Sequence, residues 1–151
     1  MSSMHQILST IFNSLRSFLQ WRILWIFHHK FMLGVAGIIL DDEQRVLVLK
    51  HRYRAPEMMW GLPSGYANRG ETLENALIRE VHEETGYAIE VSELIQIKSG
   101  FQLRLEAYYK GKLVGGKLEV DGNEVLEAAF FPLDALPPGM PRSHVELLSS
   151  L

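Results

Sequence analysis

The residues best suited to chemistry in this sequence form the acidic segment Arg79-Glu80-Val81-His82-Glu83-Glu84. On an α-helix, with about 100° between successive residues, Glu80 and Glu84 lie on one stripe and Glu83 flanks that stripe. Hard divalent cations such as Mg²⁺ or Mn²⁺ prefer carboxylate oxygens as ligands. The spacing therefore predicts that these three carboxylates converge on one divalent cation.

The same segment carries an electrostatic cost when no cation is bound. Glu80 and Glu84 are like charges four residues apart, and Glu84 lies at the negative end of the helix dipole. Each effect destabilises the helix by about 0.3 to 1 kcal/mol, and a cation would relieve both. The alternative is a solvated helix face on which Arg79 and Glu83 form an ion pair.

The acidic segment belongs to a longer pattern of fixed residues with two apolar positions, Val81 and Tyr87. The fixed positions are Gly65, Glu71, Arg79, Glu80, Glu83, Glu84 and Gly86. This pattern resembles the Nudix box, Gly-x5-Glu-x7-Arg-Glu-U-x-Glu-Glu-x-Gly-U, in which U is apolar. Average residue frequencies give such a match by chance in about one of 10⁶ chains of this length. The preceding Trp60-Gly61-Leu62-Pro63-Ser64-Gly65 also resembles the family's usual lead-in.

The resemblance implies roles for the residues of the box. The implied metal ligands are the carboxylates of Glu80, Glu83 and Glu84 and the backbone carbonyl of Ser64. The implied catalytic residues are Glu80, Glu83 and Arg79, where Glu80 is a further ligand or the base that activates water, and Arg79 orients the acids. The implied structural residues are Gly65, Glu71 and Gly86. Ser64 replaces the more usual Gly, which leaves the ligand atom in place because that atom belongs to the backbone.

Two further sets of charged residues lie outside the box. Nudix enzymes often add a carboxylate from a distant loop, and the candidates here are Asp121, Glu124 and Glu127. Of these we favour Glu124 as a fourth catalytic residue. Substrate phosphates could bind to Lys50, His51, Arg52 and Arg54, although solvated charges at an exposed strand end would look the same in the sequence.

The resemblance implies a divalent-metal-dependent hydrolase that cleaves the diphosphate linkage of a nucleoside diphosphate joined to another group. The cofactor would be Mg²⁺ or Mn²⁺, and the partner a small nucleotide or diphosphate substrate. An alternative is a non-catalytic Nudix module that senses or binds a nucleotide, and an isomerase on the same fold is another. The signatures of NADH and coenzyme A hydrolases, and the proline of some ADP-ribose hydrolases, do not occur. The second group is therefore left as a sugar, an alcohol or another nucleotide.

The composition limits the other classes of function. A formal net charge of -3 and a pI near 6.1 give no basic surplus, so we expect no duplex nucleic acid partner. The absence of Cys excludes disulfides, thiolate zinc sites and a cysteine nucleophile. It agrees with the reducing cytoplasm, which is the predicted location.

The elements that position these residues lie in a predicted Nudix domain, residues 31–151. We predict an α/β (α+β) fold in which a mixed sheet is sandwiched between helices. Residues 33–40 and 45–53 read as strands, and residues 45–53 are apolar on both faces, as expected for a sheet covered on both sides. Thr72 and Gly86 read as the caps of the acidic helix. A strand pair is predicted within 102–120, broken at Gly115-Gly116, and a final helix within 144–148.

Residues 1–30 form a separate predicted unit, an extra N-terminal amphipathic helix. Charged residues interrupt the apolar run, which argues against a membrane span, and no cleavage site for a signal peptide follows it. The apolar stripe could pack on the domain, form a homodimer, or make peripheral membrane contact aided by Trp21 and Trp25. These alternatives stay open in the sequence.

Overall fold

The computed structural model describes residues 31–99, 103–120 and 122–151, together with Leu19 and Arg22. Contacts divide the chain into two units, Met1–Lys30 and Phe31–Leu151. The predicted amphipathic helix of the first unit, with its homodimer and membrane alternatives, lies outside the described residues. Within the described residues, no helix is long and apolar enough to cross a membrane.

The second unit is built on a mixed sheet that has seven strands among the described residues. The strands are β1 Met32–Leu40, β2 Val46–His51, β3 Trp60–Gly61, β4 Ser64–Tyr66, β5 Tyr87–Lys98, β6 Arg104–Gly116 and β7 Val125–Phe131. The parallel pair is β1 with β6, and the other pairs are antiparallel: β1 with β2 and β4, β2 with β3 and β7, and β5 with β6. The predicted mixed sheet is confirmed.

The sheet is covered on both faces, because alternate residues of its central strands point to opposite sides. Leu47 and Leu49 of β2 belong to the core cluster that contains residues of helix α1, Leu73–Thr85. Val46 and Val48 belong to a second cluster with residues of helix α2, Arg142–Ser149. The predicted sandwich, with β2 apolar on both faces, is therefore confirmed. Helix α1 covers one face of the sheet and helix α2 covers the other.

Helix α1 begins and ends where the sequence predicts. The Thr72 hydroxyl accepts a hydrogen bond from the Asn75 N–H at 3.2 Å, which caps the first turn. Gly86 has φ 72° in the left-handed region and donates its N–H to the His82 carbonyl at 2.8 Å. Both caps place the carboxylates of the last two turns at fixed positions beside the sheet.

The region after α1 differs from its prediction. The predicted strand pair within 102–120 is wrong, because β6 is one strand that runs from Arg104 to Gly116. Its antiparallel partner is the preceding strand β5, whose irregular register interrupts the alternation that a sequence reading depends on. Gly115 and Gly116 end β6, and they pair with Ala88 and Tyr87. Helix α2 is longer than the predicted 144–148 at both ends.

Candidate active site

Arg79 is the centre of a hydrogen-bonded network on helix α1. Its guanidinium donates to both carboxylate oxygens of Glu71, at 2.9 and 3.0 Å, and to the Tyr66 carbonyl at 3.0 Å. Its Nη1 also donates to Glu80 Oε1 at 2.8 Å and to Glu83 Oε2 at 3.2 Å. These bonds lower the pKa of the Glu71 carboxyl to about 2 and raise that of Arg79. We name Arg79, Glu71, Glu80 and Glu83 the arginine network.

Gly65 leaves space for the Glu80 carboxyl close to strand β4. A Cβ atom added at Gly65 would overlap the Glu80 carboxyl group, so a side chain there and the present position of Glu80 exclude each other. Arg79 of the arginine network binds the same carboxyl. The Glu80 carboxyl is therefore held by Arg79 in the space that the missing side chain of Gly65 leaves beside β4.

Glu84, one turn beyond Glu80, lies in a cavity of about 260 Å³. Burial raises the pKa of its carboxyl to about 8, and the nearby negative charges of Glu80 and Glu124 act in the same direction. Arg54 and the Ser64 backbone N–H oppose the rise. Among the described residues, none donates a hydrogen bond to its buried Oε2. The cavity thus holds a carboxylate whose charged form the protein itself stabilises incompletely.

The donor set fits a divalent cation, although the acids are not preassembled around one point. A buried carboxylate oxygen without a donor, close to two other acids, is the environment in which added positive charge is most favourable. Within the part of the chain that the structure describes, no three Asp, Glu or His side chains form a ready cation-binding group. The predicted convergence of Glu80, Glu83 and Glu84 is therefore not present, because Arg79 holds Glu80 and Glu83 while Glu84 lies in the cavity.

The candidates outside the box separate into two groups. Glu124 and Arg54 line the cavity with Glu84, and Arg54 Nη2 donates to the Ser64 hydroxyl at 3.4 Å. Arg52 instead donates to the carbonyls of Gly122 and Asn123, at 2.9 and 3.0 Å. Lys50 lies 3.7 Å from Glu127 in an ion pair and 5.7 Å from the centre of the Trp60 ring. The structure thus brings Arg54 and Glu124 to Glu84, whereas Arg52 holds the loop that carries Glu124.

Two residues of the cavity, Arg104 and Glu106, were missed in the sequence. Arg104 and Glu106 are alternate residues of β6, so the sequence Leu103-Arg104-Leu105-Glu106 carries a signal: charged side chains on one face of an otherwise apolar strand. His51 is 8% exposed, and burial lowers its pKa to about 4. His51, which was among the candidates for binding phosphate, therefore lines the cavity as a neutral side chain at pH 7.

Comparison with protein families places the chain in one of them. The model described as NUDIX domain matches residues 30–151. The chain therefore belongs to the Nudix family, and the resemblance of the box is confirmed.

Individual relatives agree with this assignment. The chain is 31% identical over 110 residues to an ADP-ribose pyrophosphatase of Methanocaldococcus jannaschii, covering 70% of this chain and 64% of the relative. It is 30% identical over 113 residues to the human 8-oxo-dGDP phosphatase NUDT18, covering 73% of this chain and 35% of the relative. The chain thus spans less than two thirds of the length of these curated relatives.

A solved structure has the same fold. The crystal structure of a MutT NUDIX hydrolase from Burkholderia pseudomallei superimposes with a TM-score of 0.69 and 27% sequence identity. The superposition covers 82% of this chain and 99% of that one. The predicted Nudix fold is confirmed.

Proposed function

We propose that this chain hydrolyses the diphosphate linkage of a nucleoside diphosphate joined to another group, with a divalent cation, Mg²⁺ or Mn²⁺, bound beside Glu84. The observation that carries the proposal is the buried Glu84 carboxyl, which lies in a cavity and lacks a donor to Oε2 among the described residues. Family membership supports the same reaction class, since the names of the two relatives above state a pyrophosphatase and a phosphatase.

The cation would be held by Glu84, Glu80 and Glu83 and by the backbone carbonyl of Ser64. When bound, it supplies charge neutralisation and polarisation at the phosphoryl oxygens, which otherwise repel a nucleophile. Glu124 adds a further carboxylate to the lining of the same cavity. Its negative charge acts on Glu84, which places the two acids within electrostatic reach of each other.

The remaining residues bind and orient. In the reaction, water adds to one phosphorus, the bridging P–O bond breaks, and two phosphate-bearing products leave. Glu80 is positioned by Arg79 and Gly65, either as a ligand or as the base that takes the proton of the attacking water. Arg54 faces the same cavity and can neutralise substrate phosphate charge. Arg52 contributes indirectly, because it holds the loop before Glu124.

The test is a panel of nucleoside diphosphate derivatives and triphosphates with and without Mg²⁺ or Mn²⁺, followed by product analysis. We expect metal-dependent release of two phosphate-bearing products from at least one member of the panel. Binding of a nucleotide without any turnover would replace the hydrolase by the nucleotide-sensing alternative. The matched control is Glu90→Gln, which changes an exposed acid paired with Lys112 and should leave turnover unchanged.

A further inference from the structure

A second cavity, of about 330 Å³, adjoins the one that holds Glu84. The two cavities share four lining residues: Arg54, Ser64, Arg104 and Glu106. The second cavity continues under the start of helix α2, where Ser143 and His144 line it. A ligand bound at Glu84 can therefore extend past the two arginines into a separate compartment.

One wall of this compartment is a polar stripe on strand β6. Arg104, Glu106 and Tyr108 are alternate residues, so their side chains project from the same face of the strand. Glu106 is 8% exposed, and its Oε2 accepts a hydrogen bond from the Tyr108 hydroxyl at 2.8 Å. Arg104 Nη2 lies 3.6 Å from the same oxygen. The Glu106 carboxylate is thus fixed in place and adds a hydrogen-bond acceptor to both cavities.

Helix α2 contributes a neutral imidazole and a hydroxyl group to the lining of the second cavity. His144 is 9% exposed, and its Nδ1 accepts a hydrogen bond from the Leu62 N–H at 3.4 Å. Because burial keeps the pKa of His144 at about 4, the ring is neutral at pH 7 and its other nitrogen carries the proton. Ser143 adds a hydroxyl that donates and accepts.

The charges and hydrogen-bonding groups of the two cavities indicate which chemical groups each part can bind. The two guanidiniums, Arg54 and Arg104, suit phosphate oxygens. A fixed carboxylate does not suit another phosphate, because like charges repel, but it accepts hydrogen bonds from sugar hydroxyls, as acidic residues do in dinucleotide sites. Glu106 is hydrogen-bonded to Tyr108, which lines the second cavity but not the first. It therefore favours a hydroxyl-bearing group on that side of the phosphates that the arginines bind.

We propose that the second cavity binds the sugar of a nucleoside diphosphate sugar, with Glu106 accepting hydrogen bonds from the sugar hydroxyls. This inference depends on the proposed hydrolase function and names its substrate class. Arg54 and Arg104 bind the diphosphate between the two cavities. A nucleoside triphosphate of the same base carries a terminal phosphate where the sugar would lie, so Glu106 disfavours it.

The test compares substrates that share a base and differ only in the group attached to the second phosphate. The pairs are ADP-ribose with ATP, UDP-glucose with UTP, and GDP-mannose with GTP, each assayed for kcat/KM with saturating Mg²⁺. We expect the sugar member of the preferred pair to exceed its triphosphate by about tenfold or more, since each hydrogen bond to a charged group contributes about 1.5 to 3 kcal/mol. The ratio cancels any preference for the base.

Glu106→Gln is the decisive variant, because glutamine keeps the size of the side chain and can still accept from Tyr108. It should lower kcat/KM for the sugar substrate about tenfold, mainly through KM, and leave kcat/KM for the triphosphate unchanged or higher, because the charge that repels the terminal phosphate is gone. Tyr108→Phe, which frees the carboxylate without removing it, should give a smaller loss in the same direction. Glu90→Gln, an exposed acid of strand β5, should leave the ratio unchanged.

The outcomes separate the two proposals. A preference for triphosphates, or an equal loss on both members of a pair in Glu106→Gln, overturns the sugar site and leaves the hydrolase intact. Metal-dependent turnover of no compound in the three pairs or in the wider diphosphate panel overturns the hydrolase itself, and the sugar site with it.

Discussion

Two regions at helix α1 and just before it differ in how completely the protein stabilises the negative charge of their carboxylates. In the arginine network, Glu71, Glu80 and Glu83 all accept hydrogen bonds from Arg79 at 2.8 to 3.2 Å. Glu84, next to Glu83 in the chain and one turn beyond Glu80, is buried beside other acids, and its Oε2 has no donor among the described residues. In the first region Arg79 fixes the positions of the carboxylates. In the second, a bound cation would stabilise a negative charge that the protein stabilises only in part.

The largest effect is expected at Glu84. Glu84→Gln keeps the size of the side chain and removes the charge that a cation requires, so turnover should fall at least about 100-fold, more than for residues that only orient ligands. Because burial raises the pKa of this carboxyl from 4.5 to about 8, keeping it costs stability at pH 7, and the variant without metal should be at least as stable as the wild type. Steady-state kinetics and thermal unfolding check this, with Glu146→Gln, an exposed acid of α2, as the control. Unchanged turnover at saturating Mg²⁺ would contradict it.

The next effect is expected in the arginine network. Arg79→Gln removes the donors to Glu71, Glu80 and Glu83 together, which should destabilise the fold by on the order of 1 to 3 kcal/mol. Turnover should fall about 10- to 100-fold, as for residues that orient metal ligands. Urea unfolding and kinetics measure the two losses separately. A loss of stability with full turnover would show that the network does not position Glu80.

Gly65→Ala should affect turnover more than stability. The added methyl group displaces the flexible Glu80 side chain, whereas the backbone can stay where it is. We expect turnover to fall about tenfold and the free energy of unfolding by less than about 1 kcal/mol. Gly115→Ala is the matched control, since a Cβ there meets nothing within 4 Å. Equal turnover of the two variants would show that the space beside Gly65 does not matter for catalysis.

The smallest effect is a pH dependence away from Glu84. Burial lowers the pKa of His144 to about 4, so the unfolded chain, with an ordinary value of 6.5, binds the proton more readily. The stabilisation by neutral His144 is therefore complete above about pH 6.5 and is lost as the pH falls toward 4. Unfolding of wild type and His144→Asn should diverge with pH by on the order of 1 kcal/mol. The raised pKa of Glu84 also makes stability depend on pH, but Glu84 is present in both proteins, so its contribution cancels in the difference between them.

The elements that the sequence predicts well are local. The caps Thr72 and Gly86 bound α1 through contacts within four residues, and the apolar alternation of β2 follows from the two covered sheet faces. The box residues were identified by their resemblance to the Nudix box, and the chain belongs to that family. Strand β5 was harder to read, since its irregular register breaks the alternation.

The part of the site formed by strand β6 and helix α2 depends on contacts between segments that are distant in the sequence. Arg104 and Glu106 reach Glu84 only because β6 pairs in parallel with β1, and His144 reaches Leu62 across the chain from α2. No local spacing encodes those distances. The helical wheel places the three acids of the box near one another but does not include the Arg79 guanidinium, which binds Glu80 and Glu83. Their joint role as cation ligands stays a prediction.

The most direct measurement is the thermal midpoint of the wild type and Glu84→Gln during a Mg²⁺ titration, each in the full chain. A cation that binds the folded state at Glu84 raises the wild-type midpoint, by several degrees when Mg²⁺ reaches about 100 times its Kd. We expect that rise in the wild type and none in Glu84→Gln. No rise in the wild type, or an equal rise in both proteins, would contradict a cation site at Glu84.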